Sequence, residues 1–148
     1  MNPLQHAKII NAIPPAAIKD NAEFVSNVID LNDFAGCDYI EFIGILGATD
    51  IALAVCKVME SSVKTDATTL GGTPALVKDA TTKPSATNDD QPFVFGIDLR
   101  KTRERYLQLQ CTAGNGTAGT FLSAICVGIP GVSSSDAADR GLLFAEYA

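Results

Sequence analysis

Tryptophan is absent from the 148 residues, histidine occurs once, as His6, and no two cysteines form a Cys-x-x-Cys pair. A single histidine ahead of the first expected strand leaves nucleophilic catalysis without its usual general base. Cys37, Cys56, Cys111 and Cys126 have no metal-ligand spacing. The opening Met1-Asn2-Pro3-Leu4-Gln5-His6 lacks the basic-then-apolar layout of a secretion signal. Reduced thiols without zinc are therefore expected, in a chain that is not secreted. Charge is scarce as well, at 19% against about 25% in an average globular domain. With 11 basic and 17 acidic residues the net charge is −6, the opposite of the basic footprint of a general nucleic-acid binder. No apolar run reaches the roughly 20 residues of a membrane-spanning helix, so no membrane contact is expected.

What is present is apolar material in short, alternating stretches. The hydrophobic fraction of 47% excludes a disordered chain, and the length fits one core. A charge-poor surface suits a subunit that hides faces against partners. Asp38 to Leu46 places Ile40, Phe42 and Leu46 on one face, with Tyr39, Ile43 and Ile45 beside Glu41 on the other. Ile51 to Glu60 repeats the alternation, and Gly47-Ala48-Thr49-Asp50 between them reads as a hairpin-like connection. Phe93 to Leu99, Tyr106 to Cys111 and Phe121 to Ile129 are the clearest strands. Asn115-Gly116 between the last two is a hairpin signal. Lys8 to Ile13 reads as a strand stopped by Pro14-Pro15, Glu23 to Leu31 as another, and Ala75 to Lys78 as a weaker one. A short helix is expected within Ser133 to Leu143. Ser61 to Gln91, nearly free of large apolar side chains, reads as a long surface loop. Without helical crossovers a parallel α/β fold is excluded. The expected fold is all-β, an antiparallel sandwich of the jelly-roll kind spanning residues 19–148, preceded by an extended N-terminal arm over residues 1–18.

The chemistry-bearing residues do not assemble a catalyst. Asp30, Asp33, Asp89 and Asp90 fall in loop-like stretches, whereas the paired carboxylates of a glycosidase must face each other at about 5–10 Å. Asp89-Asp90 lacks EF-hand spacing for calcium. One dense cluster remains, Arg100-Lys101-Thr102-Arg103-Glu104-Arg105, with four of the 11 basic residues. It reads as a solubilising tip or as a basic knob whose Arg forks dock on acidic partners. The apolar end, with Leu142, Leu143, Phe144 and Tyr147, needs an anchor on its own sandwich or on a neighbouring subunit.

Cys37-Asp38-Tyr39-Ile40-Glu41-Phe42, Leu46-Gly47-Ala48-Thr49-Asp50, Phe95-Gly96-Ile97-Asp98-Leu99-Arg100, Arg105-Tyr106-Leu107 and Ala113 to Thr120 together resemble small structural virion proteins of tailed bacteriophages. The resemblance covers about Asp38 to Gly141 and implies a capsid decoration, or cement, protein. Such a protein has a jelly-roll body, assembles as a homotrimer on the outer capsid surface, and bridges major capsid protein subunits; no enzyme activity or cofactor is implied. Contacts to capsid or sister subunits are expected from Lys8, Ile9, Ile10 and Ile13, from Arg100, Lys101, Arg103 and Arg105, and from Leu142, Leu143, Phe144 and Tyr147. The alternative is a head-fibre or tail component that binds a host-surface carbohydrate, which the low aromatic content (7%) disfavours.

Overall fold

The computed structural model describes residues 7–130 and 145–148. The expected helix within Ser133 to Leu143 lies outside them, as do His6, Leu142, Leu143 and Phe144. In chain order the strands are β1 (Lys8–Ile13), β2 (Glu23–Phe24), β3 (Ile29–Asp30), β4 (Tyr39–Thr49), β5 (Val55–Ser61), β6 (Lys64–Asp66), β7 (Thr69–Leu70), β8 (Ala75–Asp79), β9 (Pro92–Asp98), β10 (Tyr106–Thr112), β11 (Thr120–Ile129) and β12 (Ala145–Tyr147). One sheet runs β1-β11-β4-β9-β12 and the other β2-β10-β5-β8, with β6 and β7 as a separate pair. The protein is an all-β, antiparallel sandwich; β12, parallel to β9, is the exception among the described pairings.

The principal pairs are nested. β1 pairs with β11, β2 with β10, β4 with β9 and β5 with β8, as in one long antiparallel ribbon rolled onto itself. Successive limbs fall in opposite sheets, and the side chains that alternate inward fill the space between them. Phe24, Phe34, Phe42, Phe93 and Phe95 are fully buried there with Ile40, Ile97, Leu107 and Leu109. The Phe93 and Phe95 rings meet edge to face at 6.2 Å, a favoured aromatic geometry.

Rolling the ribbon overturns both hairpin expectations. β4 continues through Gly47 to Thr49, and the chain then crosses to the other sheet, carrying Leu53 into the core. Asn115-Gly116 likewise lies in a crossing from β10 to β11. Positive φ occurs at Gly119, where a Cβ would stand 2.5 Å from the Lys19 carbonyl oxygen, not at Asn115 or Gly116. The crossing is shaped instead by two carboxylates. Asp50 Oδ2 accepts from the Thr117 and Ala118 amides at 2.5 and 2.6 Å, and Asp20 Oδ1 accepts from Gly116 at 2.8 Å. Turn chemistry reports that the chain bends but not which sheet receives it.

Two other expectations are corrected. The stretch from Ser61 to Gln91 is no structureless loop, for it holds β6, β7, β8 and a 3-10 turn at Ala86–Asn88. Residues 1–18 are not an arm throughout, because β1 pairs with β11 from Lys8 opposite Gly128 to Ile13 opposite Ala124. The Glu23 to Leu31 strand divides into β2 and β3, both on β10.

Candidate functional site

The two sheets differ on their outer sides. The four-stranded sheet is roofed. Gln108, which faces outward from β10, donates through Nε2 to the carbonyls of Ser26 at 3.1 Å and Thr68 at 2.7 Å. This ties the β2–β3 chain and the β6–β7 turn over the strand, and Lys64 lies above the Tyr106 ring at 5.5 Å. Among the described residues, no such layer lies over β11 and β4 of the five-stranded sheet. Ile9 (60% exposed), Ile45 (52%), Phe121 (41%) and Ile125 (40%) stand out from it. Register explains the grouping: Ile125 is opposite Ile43 on β4 and Asn11 on β1, Ser123 is opposite Ile45, and Ile9 is opposite Val127.

Pro14 and Pro15 end β1 and, after a register shift between Asn11 and Ile13, carry the chain along this face. Between that segment and the strands runs a groove of about 290 Å³, walled by Ile13, Pro15, Ile43, Ile45 and Ile125. It is continuous through Pro15, Ile45 and Ser123 with a second hollow of about 190 Å³ against Ala16, Gly47 and Phe121. Phe121, Ser123, Ile125, Val127 and Ile129 give the outer side of β11 no charge. Contiguous exposed apolar surface of this kind marks an interaction site.

The expected contact residues are dispersed around this face. Ile13 is in the core and Ile10 packs against it, so of the four β1 residues only Ile9 stands on the outer face; Lys8, opposite Gly128, is exposed at the margin of the inner side. Lys8 pairs with Asp33 at 3.6 Å and lies over the Phe34 ring. The basic run joins β9 in one sheet to β10 in the other, and its arginines are engaged within the chain. Arg100 grips Asp98 through Nε and Nη2, both at 3.0 Å, donates to the Tyr39 hydroxyl, and stacks on that ring at 4.7 Å. Arg105 grips Asp30 at 3.1 and 2.8 Å and stacks on Tyr106 at 4.9 Å. Arg103 Nε donates to the Asp98 carbonyl at 3.3 Å, while Lys101 is exposed. The Arg100 guanidinium holds the Asp98 carboxyl at about pKa 2, and Arg105 lowers that of Asp30. The forks available for an acidic partner are thus already closed on Asp98 and Asp30. Tyr147 lies on β12 opposite Gly96.

Among the described residues, no three of His, Cys, Asp and Glu come together as a metal-holding group. All four cysteines are free, with Cys56, Cys111 and Cys126 buried and Cys37 half-buried. Ile43, Ile45, Phe121 and Ile125 were not among the expected contacts. Their signal is a second apolar face on strands whose other face is already fully used by the core. No protein-family model matches the chain, and searches of curated proteins and of solved structures each return no match.

Proposed function

We propose that the protein is a non-enzymatic structural virion protein, a decoration protein that coats the outer surface of a phage head and bridges major capsid protein subunits as a homo-oligomer, a trimer by the resemblance. The observation that carries this reading is the run of exposed apolar side chains, Ile9, Ile45, Phe121 and Ile125, on the outer side of β1, β4 and β11 among the described residues, where β10 of the other sheet is covered through Gln108. β1, β11 and β4, about 4.8 Å apart and up to about 36 Å long, make an open strip of roughly 14 Å by 36 Å, over half of the ~800 Å² each partner gives to a standard interface. The nested pairs β1·β11, β2·β10, β4·β9 and β5·β8 support reading the sandwich as a jelly roll, in line with the sequence resemblance.

The mechanism is linkage. A protein that binds assembled shell and not free subunits stabilises the shell by RT ln(1 + [L]/Kd) per site. Several copies held together convert modest contacts into high avidity. Apolar burial on this face supplies the affinity of each contact.

The test introduces charge into the face. Ile45→Glu with Ile125→Glu alters two exposed positions and leaves the core intact. The variant is expected to keep its circular dichroism spectrum and to lose binding to purified undecorated shells by at least about 100-fold, as two aliphatic contacts of about 1.5 kcal/mol each imply. A folded variant that still saturates shells would refute the assignment of this face.

A further inference from the structure

Cys56 on β5 and Cys111 on β10 stand directly opposite each other in the four-stranded sheet. The Cys56 carbonyl accepts from the Ala80 amide at 3.0 Å, beyond the end of β8. The Cys56 backbone groups therefore turn toward the β8 side, which makes Cys56 and Cys111 a non-hydrogen-bonded, narrow pair of the β5·β10 ladder. Narrow pairs bring Cα atoms to about 4.5 Å and Cβ atoms to about 4.5–5.5 Å. A disulfide asks for Cα atoms about 4.4–6.8 Å apart and Cβ atoms about 3.5–4.5 Å apart. Alternation turns both side chains to the same side, into the core with Val58 and Leu109, and both residues are fully buried. The contact with Cys56, and then burial, push the Cys111 thiol well above its ordinary pKa.

We propose that Cys56 and Cys111 are a modification site, a thiol pair that closes into a disulfide across β5 and β10 when the chain folds or opens in an oxidising medium. The co-reactant is a small-molecule disulfide such as oxidised glutathione. One protein thiolate attacks it, forming a mixed disulfide and expelling one glutathione thiolate. The second protein thiolate then displaces the other. Two protein thiols are oxidised, one glutathione disulfide is reduced to two thiols, and the two protons pass to the departing sulfurs. Burial of both sulfurs keeps the folded sheet from exchanging, so the bond is set in open chains and sealed by closure of the core. It ties the ribbon across a long stretch of chain, from the β5·β8 limb to the β2·β10 limb.

The full chain is unfolded, refolded with a glutathione redox couple, unfolded again and alkylated with iodoacetamide. Intact mass is expected to show two alkylated cysteines instead of four, with peptide mapping joining the Cys56 and Cys111 peptides. The oxidised protein is expected to melt about 10 °C higher than the reduced one, as closing a loop of this length implies. Cys56→Ala with Cys111→Ala is expected to remove that redox-dependent shift. Four alkylated cysteines after oxidative refolding, a linkage through Cys37 or Cys126, or a linked chain with unchanged or lower Tm would each overturn the proposal. None of these measurements involves a capsid, so the outcome is independent of the decoration reading.

Discussion

Gly44 sits in the middle of β4, opposite Phe93 of β9, and its missing side chain is where the Phe93 ring lies. A Cβ placed on Gly44 would stand 2.2 Å from Cζ of that ring and 2.6 and 2.7 Å from Cε1 and Cε2. Ordinary contact begins at 3.4 Å, so the ring would have to withdraw by 3.4 − 2.2 = 1.2 Å. The core around it is closed by the edge-to-face contact with Phe95 and by fully buried Phe42. Gly44→Ala is therefore an overpacking change, expected to cost about 1–3 kcal/mol. For a chain of this length that corresponds to a Tm lowered by roughly 3–9 °C. Urea unfolding should show a lower midpoint with an unchanged slope. Phe93→Leu shortens the obstructing side chain, so the double variant should be more stable than the sum of the single costs predicts, by about 1 kcal/mol or more. A Gly44→Ala protein that melts like the parent, or costs that simply add, would refute the account of this contact.

The carboxylate at the β10–β11 crossing gives an acid prediction. Amide donors from Ala118 and Thr117 lower the Asp50 pKa to about 2, so its contribution is present above the ordinary carboxylate range and lost as pH falls from about 4 toward 2. Urea midpoints measured across that window should fall less steeply for Asp50→Asn than for the parent, and parallel curves would count against the carboxylate's role. In the roof of the four-stranded sheet, Gln108→Leu leaves the carbonyls of Ser26 and Thr68 without their shared donor. The expected cost is about 1–3 kcal/mol, read in thermal unfolding, with faster amide exchange at β6 and β7 as its local signature.

Much of the sandwich was legible from alternation. Tyr39 to Leu46, Phe93 to Asp98, Tyr106 to Cys111 and Phe121 to Ile129 are in strands, with Leu99 just past the end of β9, because each inward residue has a counterpart two positions away on a buried face. What local pattern does not carry is the partner of each strand. Gly47-Ala48-Thr49-Asp50 and Asn115-Gly116 both look like hairpin turns, yet they lead between sheets. The pairing that decides the matter, β4 with β9 or β1 with β11, spans far more chain than any turn signal. Within Ser61 to Gln91, Ala75 to Lys78 was legible as β8 (Ala75–Asp79), whereas β6 and β7 were illegible for another reason. They are short, and β6 is exposed throughout, held by ladder bonds and by Gln108 instead of by a buried apolar face. For the candidate site, the outward apolar face of β4 was visible in Ile43 and Ile45. Its extension over Ile125 and Phe121 depends on the β4·β11 register, which no single stretch encodes. The acidic partners that Arg100 and Arg105 find within the chain are set by folding, with Asp30 lying 75 residues from Arg105.

The groove on the five-stranded sheet is built from Pro15, Ile45 and Ser123 at once, and β1 meets β11 only after most of the chain has been made. A nascent chain emerging from the ribosome consequently lacks this shaped groove until its final limbs are synthesised. Such distant closures are intrinsically slow. Specific docking is thus postponed to the last event of maturation, and a truncated or stalled product is born without its seat.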